Sequence, residues 1–132
     1  MNLIKAKDIK VGTEKELYIK PILEKHYDLE LTKTDEFHEM DYKSNDIYFE
    51  IKARNNNYKT YSTTMIGMNK ILWLKKNNIS KAYFVFIFND GNYVFEYDPN
   101  EEIKSYIGGR NDRGKAEYKQ YFYIPIQRLK KL

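Results

Sequence analysis

With 132 residues and 16.0 kDa, the chain is long enough for one hydrophobic core, and a single domain over 1–132 is expected. It has no cysteine and only two histidines, His26 and His38, which excludes Cys-ligated zinc, thiolate catalysis and a disulfide framework, so any metal must be held by oxygen. The net charge of +4 is modest, the longest apolar run, Ala82 to Phe88, is far short of the ~20 residues of a membrane span, and the first ten residues carry three lysines but no apolar leader core; a soluble, cytoplasmic protein with no membrane partner is expected.

Taken in chain order, the first helix is expected from Thr13, where Thr13 and Glu16 form a capping-box pattern, to about Tyr27, with Leu17, Tyr18, Ile22 and Leu23 at helical spacing and Pro21 as a kink or break. Three extended segments should follow, over about 28–34, 37–44 and 47–53, the last two joined by a tight hairpin at Asn45-Asp46. After a polar stretch, a largely buried helix capped around Ser62 to Thr64 should run to about Asn77. Lys81 to Phe88 is the continuous aromatic and β-branched run of a strand covered on both faces, and Asn89 to Asn92 should turn it into a strand over Tyr93 to Tyr97. Beyond Asp98-Pro99, extended segments are expected over 103–107 and 119–126, joined by a Gly-rich basic loop over 108–115 and followed by a short terminal helix.

The charges are segregated. From Asp28 to Glu50 there are eight acidic residues against two lysines, and from Ile51 to Asn89 seven basic residues and no acid. Such blocks are often plain solvated faces, but here an acidic cluster able to hold a cation would adjoin a basic surface able to hold phosphates. The thirteen tyrosines suit both packing and stacking on bases, although the Lys, Asn, Ile and Tyr content also fits an AT-rich coding bias.

The triplet Glu50-Ile51-Lys52 places a carboxylate and an ammonium on one face of a strand. Four other acid-x-Lys triplets exist in the chain, so context has to distinguish this one. If Asn45 and Asp46 are the two central turn residues, Asp41 falls opposite Glu50, with Cβ atoms about 4.5–5.5 Å apart. Two like charges at that distance call for a cation, and an oxygen-ligated divalent metal suits them. Asp46 has the right parity but lies four residues along the strand, roughly 13 Å away at 3.3 Å per residue. Glu14, near the expected helix start, either points toward the sheet or is an ordinary first-turn acid.

Glu14, Asp41, Glu50 and Lys52, in the order helix, three strands, helix, strand over about 13–88, resemble the PD-(D/E)XK nuclease superfamily. Met40 stands where a proline often precedes the first acid in that superfamily. The resemblance implies an α/β (α+β mixed-sheet) fold, a restriction-endonuclease-like αβββαβ core, here with a C-terminal β extension over about 89–132. It further implies a metal-dependent phosphodiesterase in which Asp41, Glu50 and the Ile51 carbonyl hold Mg²⁺ (or Mn²⁺), Lys52 orients water or supports the transition state, and Glu14 assists.

Arg54, Asn57, Tyr58, Lys59 and Tyr61 offer cations, an amide and rings to a nucleic-acid backbone, and Lys70, in an apolar helix, either reaches the site or extends to solvent. Trp73, Met65 and Met68 read as core. The leading expectation is an endonuclease on DNA, with RNA also open, selective for a structure or a short site and suited to a symmetric homodimer; a viral or mobile-element source would put it in the host cytoplasm. The alternatives are a non-catalytic nucleic-acid-binding protein of the same fold and a protein–protein interaction module built on the tyrosines.

Overall fold

The computed structural model describes the backbone of residues 3–110 and 117–132, and side chains over 12–105 and 119–132. Helix α1 (Leu3–Tyr27) is followed by β1 (Thr32–Lys33), β2 (Tyr42–Ser44), β3 (Ile47–Ala53), β4 (Thr63–Gly67), α2 (Met68–Lys76), β5 (Lys81–Phe88), β6 (Gly91–Glu96), β7 (Tyr106–Arg110), β8 (Glu117–Pro125) and, after a 3₁₀ turn (Ile126–Arg128), β9 (Lys130–Lys131). A six-stranded sheet runs β1-β2-β3-β5-β6-β9, and a three-stranded sheet runs β4-β8-β7. Strands β3 and β5 pair in parallel from Ile47↔Lys81 to Ala53↔Ile87, while the other ladders are antiparallel.

Alternation along β5 builds two cores. Tyr83, Val85 and Ile87 face α1, packing with Ile19 and Leu23. Phe84, Phe86 and Phe88 face Ile71 and Leu74 of α2 and Ile66, Phe122 and Ile124 of the second sheet. This is the doubly covered strand expected from the sequence. The Asn45-Asp46 hairpin also has the expected register, Ser44↔Ile47, Lys43↔Tyr48, Tyr42↔Phe49, with Asn45 in the left-handed region (φ 53°).

Helix α1 begins ten residues before Thr13, so the Thr13/Glu16 pattern lies in mid-helix and caps nothing. Pro21 lies inside the helix on an exposed position; only the Leu17 carbonyl loses its i+4 donor. The helix stops at Asp28, whose positive φ (52°) lets the Leu29 amide reach back to the Glu24 carbonyl at 3.1 Å.

The extended segments expected over 28–34 and 37–44 contract to β1 and β2. Between them the backbone is held by local bonds: Thr34 Oγ1 donates to the Asp41 carbonyl (2.9 Å) and the Met40 carbonyl, and His38 Nδ1 accepts from the Met40 amide. Such bonds compete with ladder pairing.

The helix expected from Ser62 begins only at Met68, because Thr63 to Gly67 form β4, paired with β8 from Thr63↔Pro125 to Gly67↔Tyr121. Its alternating burial fits a strand, and a partner sixty residues away outweighs the local cap signal. Only one face of α2, with Met68, Ile71 and Leu74, is buried, and Leu72 is exposed.

The β5–β6 turn is Asn89-Asp90 alone, so β6 starts at Gly91. Residues 108–110, expected in a loop, continue β7, whereas residues 111–116 lie outside the described residues. Among the described residues no helix is long and apolar enough to cross a membrane.

Candidate active site

Phe49 and Ile51 of β3 are buried on the α1 side, and the alternation of the strand sends Glu50 and Lys52 to the opposite face with Tyr48. The β2–β3 ladder ends at Tyr42↔Phe49. Just beyond it, the Asp41 amide donates to the Phe49 carbonyl (2.9 Å) and the Ile51 amide donates to Asp41 Oδ2 (2.7 Å), so the carboxylate takes the place of the next ladder bond. In a strand the amide and carbonyl of one residue point to the same side, which leaves the Ile51 carbonyl beside Asp41.

Glu50 is 3% exposed, and its carboxyl group is within hydrogen-bonding reach of Asp41. Burial, reinforced by Asp41, pushes Glu50 up to about 8 against the pull of Lys52 and Lys70. Burial works the same way on Asp41, but hydrogen bonds from the Glu50 carboxyl and the Ile51 amide, with Lys33 nearby, hold Asp41 below its ordinary value. The pair therefore favours one shared proton.

Lys70 reaches into this site from α2. Its Nζ lies 3.0 Å from Glu50 Oε2 and donates to the Glu39 carbonyl at 2.5 Å. Although ion-paired, Glu50 Oε2 has no partner in hydrogen-bond geometry among the described residues. Lys52 is half-buried, and no residue lies within hydrogen-bond or ion-pair distance of its ammonium among the described residues. Desolvation lowers its basicity against the effect of Glu50, and Lys70 and Arg54 add to the lowering.

The acid that α1 brings to Asp41 is Glu16. Glu14 is exposed and borders a depression with Tyr18 and the β5–β6 turn. Two residues correspond to about 200° around a helix, so the two glutamates point to different sides. Glu16 shares the face of Ile19 and Leu23, its Oε2 lies 2.9 Å from Lys33 Nζ, and Lys33 in turn lies 3.6 Å from Asp41 Oδ1. Burial, with Asp41 adding to it, raises Glu16 against the opposing effect of Lys33. The spacing Glu16-Ile19-Leu23 was the signal in the sequence; the capping-box pattern obscured it.

The residues after the motif divide into two groups. Arg54 is anchored, with Nε donating to Thr64 Oγ1 (3.1 Å), Nη2 donating to the Met65 carbonyl (2.6 Å) and the guanidinium over the Phe86 ring. Tyr58 is built into the packing: its hydroxyl donates to the Ile126 carbonyl (2.7 Å) and its ring stacks on Tyr93 at 3.9 Å. Asn57, Lys59 and Tyr61 are exposed.

Among the described residues no group of three or more His, Asp or Glu side chains forms a ready-made metal cage. The fit to a divalent ion rests on two adjoining carboxylates, the Ile51 carbonyl beside them and the buried Glu50 Oε2, which has no hydrogen-bond partner among the described residues. This all-oxygen set suits Mg²⁺ or Mn²⁺.

No curated protein and no solved structure matches the chain. A family model described as "Phage putative PDDEXK endonuclease" matches residues 8–132. Nucleases of this type generally use divalent metals. The helix, the β2–β3 hairpin and the parallel β3–β5 pair make a mixed α/β, restriction-endonuclease-like core that agrees with the match. Since the match spans nearly the whole chain, the protein belongs to this family of the PD-(D/E)XK nuclease superfamily.

Proposed function

We propose that this chain is a metal-dependent endonuclease that hydrolyses phosphodiester bonds in DNA. The observation that carries the reading is the buried Glu50 carboxylate in contact with Asp41, with Lys52 and Lys70 on the same side. Burying two adjoining carboxylates is costly unless cations compensate them; Lys70 meets one oxygen of Glu50 and Lys33 one oxygen of Asp41, which leaves room for a divalent ion between the two groups. Asp41, Glu50 and the Ile51 carbonyl would hold Mg²⁺ or Mn²⁺. Such an ion supplies Lewis-acid activation of water and neutralises charge on the phosphate.

The rest of the work falls to side chains. Lys52, half-buried and without a partner of its own among the described residues, orients the attacking water or meets charge developing on the phosphate oxygens. Glu16 with Lys33 holds the α1 side of Asp41. The reaction forms one P–O bond from water and breaks one phosphodiester P–O bond, leaving a phosphate monoester and an alcohol.

The test is cleavage of supercoiled and linear DNA, and of RNA of the same sequence, by the full chain in Mg²⁺ or Mn²⁺, with chelator and Glu50→Gln controls. Metal-dependent nicking of DNA that Glu50→Gln abolishes is the expected result. Absence of cleavage with both metals, or equal cleavage by Glu50→Gln, would overturn the proposal.

A further inference from the structure

A cleft of about 230 Å³ opens where the 54–61 segment meets the second sheet, lined among others by Arg54, Tyr58, Tyr61, Thr63, Phe88 and Tyr123. It is smaller than the roughly 300–1,000 Å³ of pockets for drug-sized ligands, four of its ten lining residues are aromatic, and none is acidic. Its position is fixed relative to the acid pair. Arg54 continues the β3 ladder through its amide bond to the Ile87 carbonyl (2.9 Å), so it stands two residues beyond Lys52 on the same face, about 6.6 Å along the strand.

The walls of the cleft are held before any ligand arrives. Tyr58 is fixed by its bond to Ile126, its stack on Tyr93 and its amide bond to Asp90 Oδ1 (2.8 Å), and Arg54 by Thr64 and Met65. The turn between them is closed by the Thr60 amide on the Asn57 carbonyl (3.1 Å) and the Asn57 amide on Thr60 Oγ1 (3.2 Å). Tyr61 differs: it is 64% exposed, and its ring makes no contact with another ring among the described residues. An exposed aromatic ring at the lip of a preorganised, acid-free aromatic recess suits a flat, electron-rich ring that arrives on a negatively charged backbone.

We infer that this cleft takes one unstacked nucleobase flanking the scissile phosphate, held against Tyr61, so that the preferred substrate carries an unpaired nucleotide beside the cut rather than being an uninterrupted duplex. A base inside a duplex presents only its edges in the grooves, and its ring faces become available once it leaves the stack. The inference rests on the endonuclease reading and deepens it.

The experiment uses the full chain with Ca²⁺ in place of Mg²⁺ and two DNA duplexes identical except for one unpaired 2-aminopurine nucleotide. The expected result is tighter binding of the duplex with the unpaired base, with a change in 2-aminopurine fluorescence on binding. Tyr61→Ala should lose roughly 5- to 150-fold of that preference, the range for one base–aromatic stack, while Tyr61→Phe keeps it and Thr63→Trp, which fills the cleft, abolishes it. Unchanged melting temperatures would show that the variants fold. Equal binding of the two duplexes, or a preference untouched by Tyr61→Ala, would overturn the inference while metal-dependent cleavage left the nuclease reading standing; absence of binding to either duplex would overturn both.

Discussion

Lys70 Nζ, carried by α2, lies 3.0 Å from the buried Oε2 of Glu50 on β3, so the nearest cation to the central carboxylate comes from twenty residues along the chain and not from Lys52 on the same strand. The two lysines therefore divide the work: one neutralises the carboxylate at rest, and the other has no ground-state partner among the described residues.

For Lys52, that division predicts a loss of rate with little loss of fold. Lys52→Ala should lower single-turnover cleavage by roughly 10²-fold or more, the scale of one preorganised electrostatic group, and Lys52→Arg should restore little, because a planar guanidinium does not reproduce a compact ammonium. Melting temperature measured on the same sample should hold or rise, since a desolvated ammonium is removed. Unimpaired cleavage would take Lys52 out of the mechanism.

Lys70→Met should do the reverse. Removing the cation leaves Glu50 buried beside Asp41 without its ion-pair partner, so stability should fall more steeply above pH 8 than below pH 6. Added Mg²⁺ should recover more of the melting temperature in this variant than in the parent. A thermal scan with and without the ion at both pH values measures this, and equal recovery in the two proteins would refute it.

The raised Glu50 group also sets a pH dependence of stability. Its proton is held up to about 8 in the folded chain, against an ordinary glutamate value of 4.5, so between those values the native state binds more protons than the unfolded state and stability falls as pH rises. The contribution is complete below 4.5 and lost through about 8. Glu50→Gln should flatten that slope in metal-free buffer and raise the melting temperature at high pH by a few degrees, at about 4 °C per kcal/mol for a chain of this size. An unchanged slope would mean that Glu50 is ionised throughout.

At Asp41 the structural and chemical roles can be separated. Asp41→Ala leaves the Ile51 amide without its acceptor and should cost about 1–3 kcal/mol, the price of an unsatisfied buried donor. Asp41→Asn keeps an acceptor oxygen and should retain most of the stability. Both should lose cleavage and keep DNA binding, because the basic residues after Ile51 are untouched. Cleavage by Asp41→Asn at the parental rate would exclude the carboxylate as a ligand.

The helix acid gives a paired test. Glu16→Gln, which loosens the Lys33 contact beside Asp41, should reduce cleavage, whereas Glu14→Gln, on the exposed side of α1, should leave it unchanged. The opposite ranking would restore Glu14 to the role suggested by the motif.

The sequence by itself determined the features that depend on neighbours in the chain. A two-residue turn at Asn45-Asp46 admits one register, which brings Asp41 to Glu50; the aromatic and β-branched run from Ala82 to Phe88 could only be a strand covered on both faces; and the absence of cysteine excluded thiolate chemistry. The tertiary structure decided the features that depend on distant partners. Thr63 to Gly67 became a strand because β8 supplies a ladder sixty residues later, an energy no local window contains. Glu16 and not Glu14 faces Lys33 and Asp41 because the rotation of α1 is set by Ile19 and Leu23 packing on the sheet, not by where a capping pattern occurs. Lys70 reached Glu50 because α2 packs over the face of the sheet that carries the acids. Turn length and strand periodicity act over a few residues, so they are written in the sequence, whereas burial and ion pairing select among faces that periodicity alone leaves equivalent.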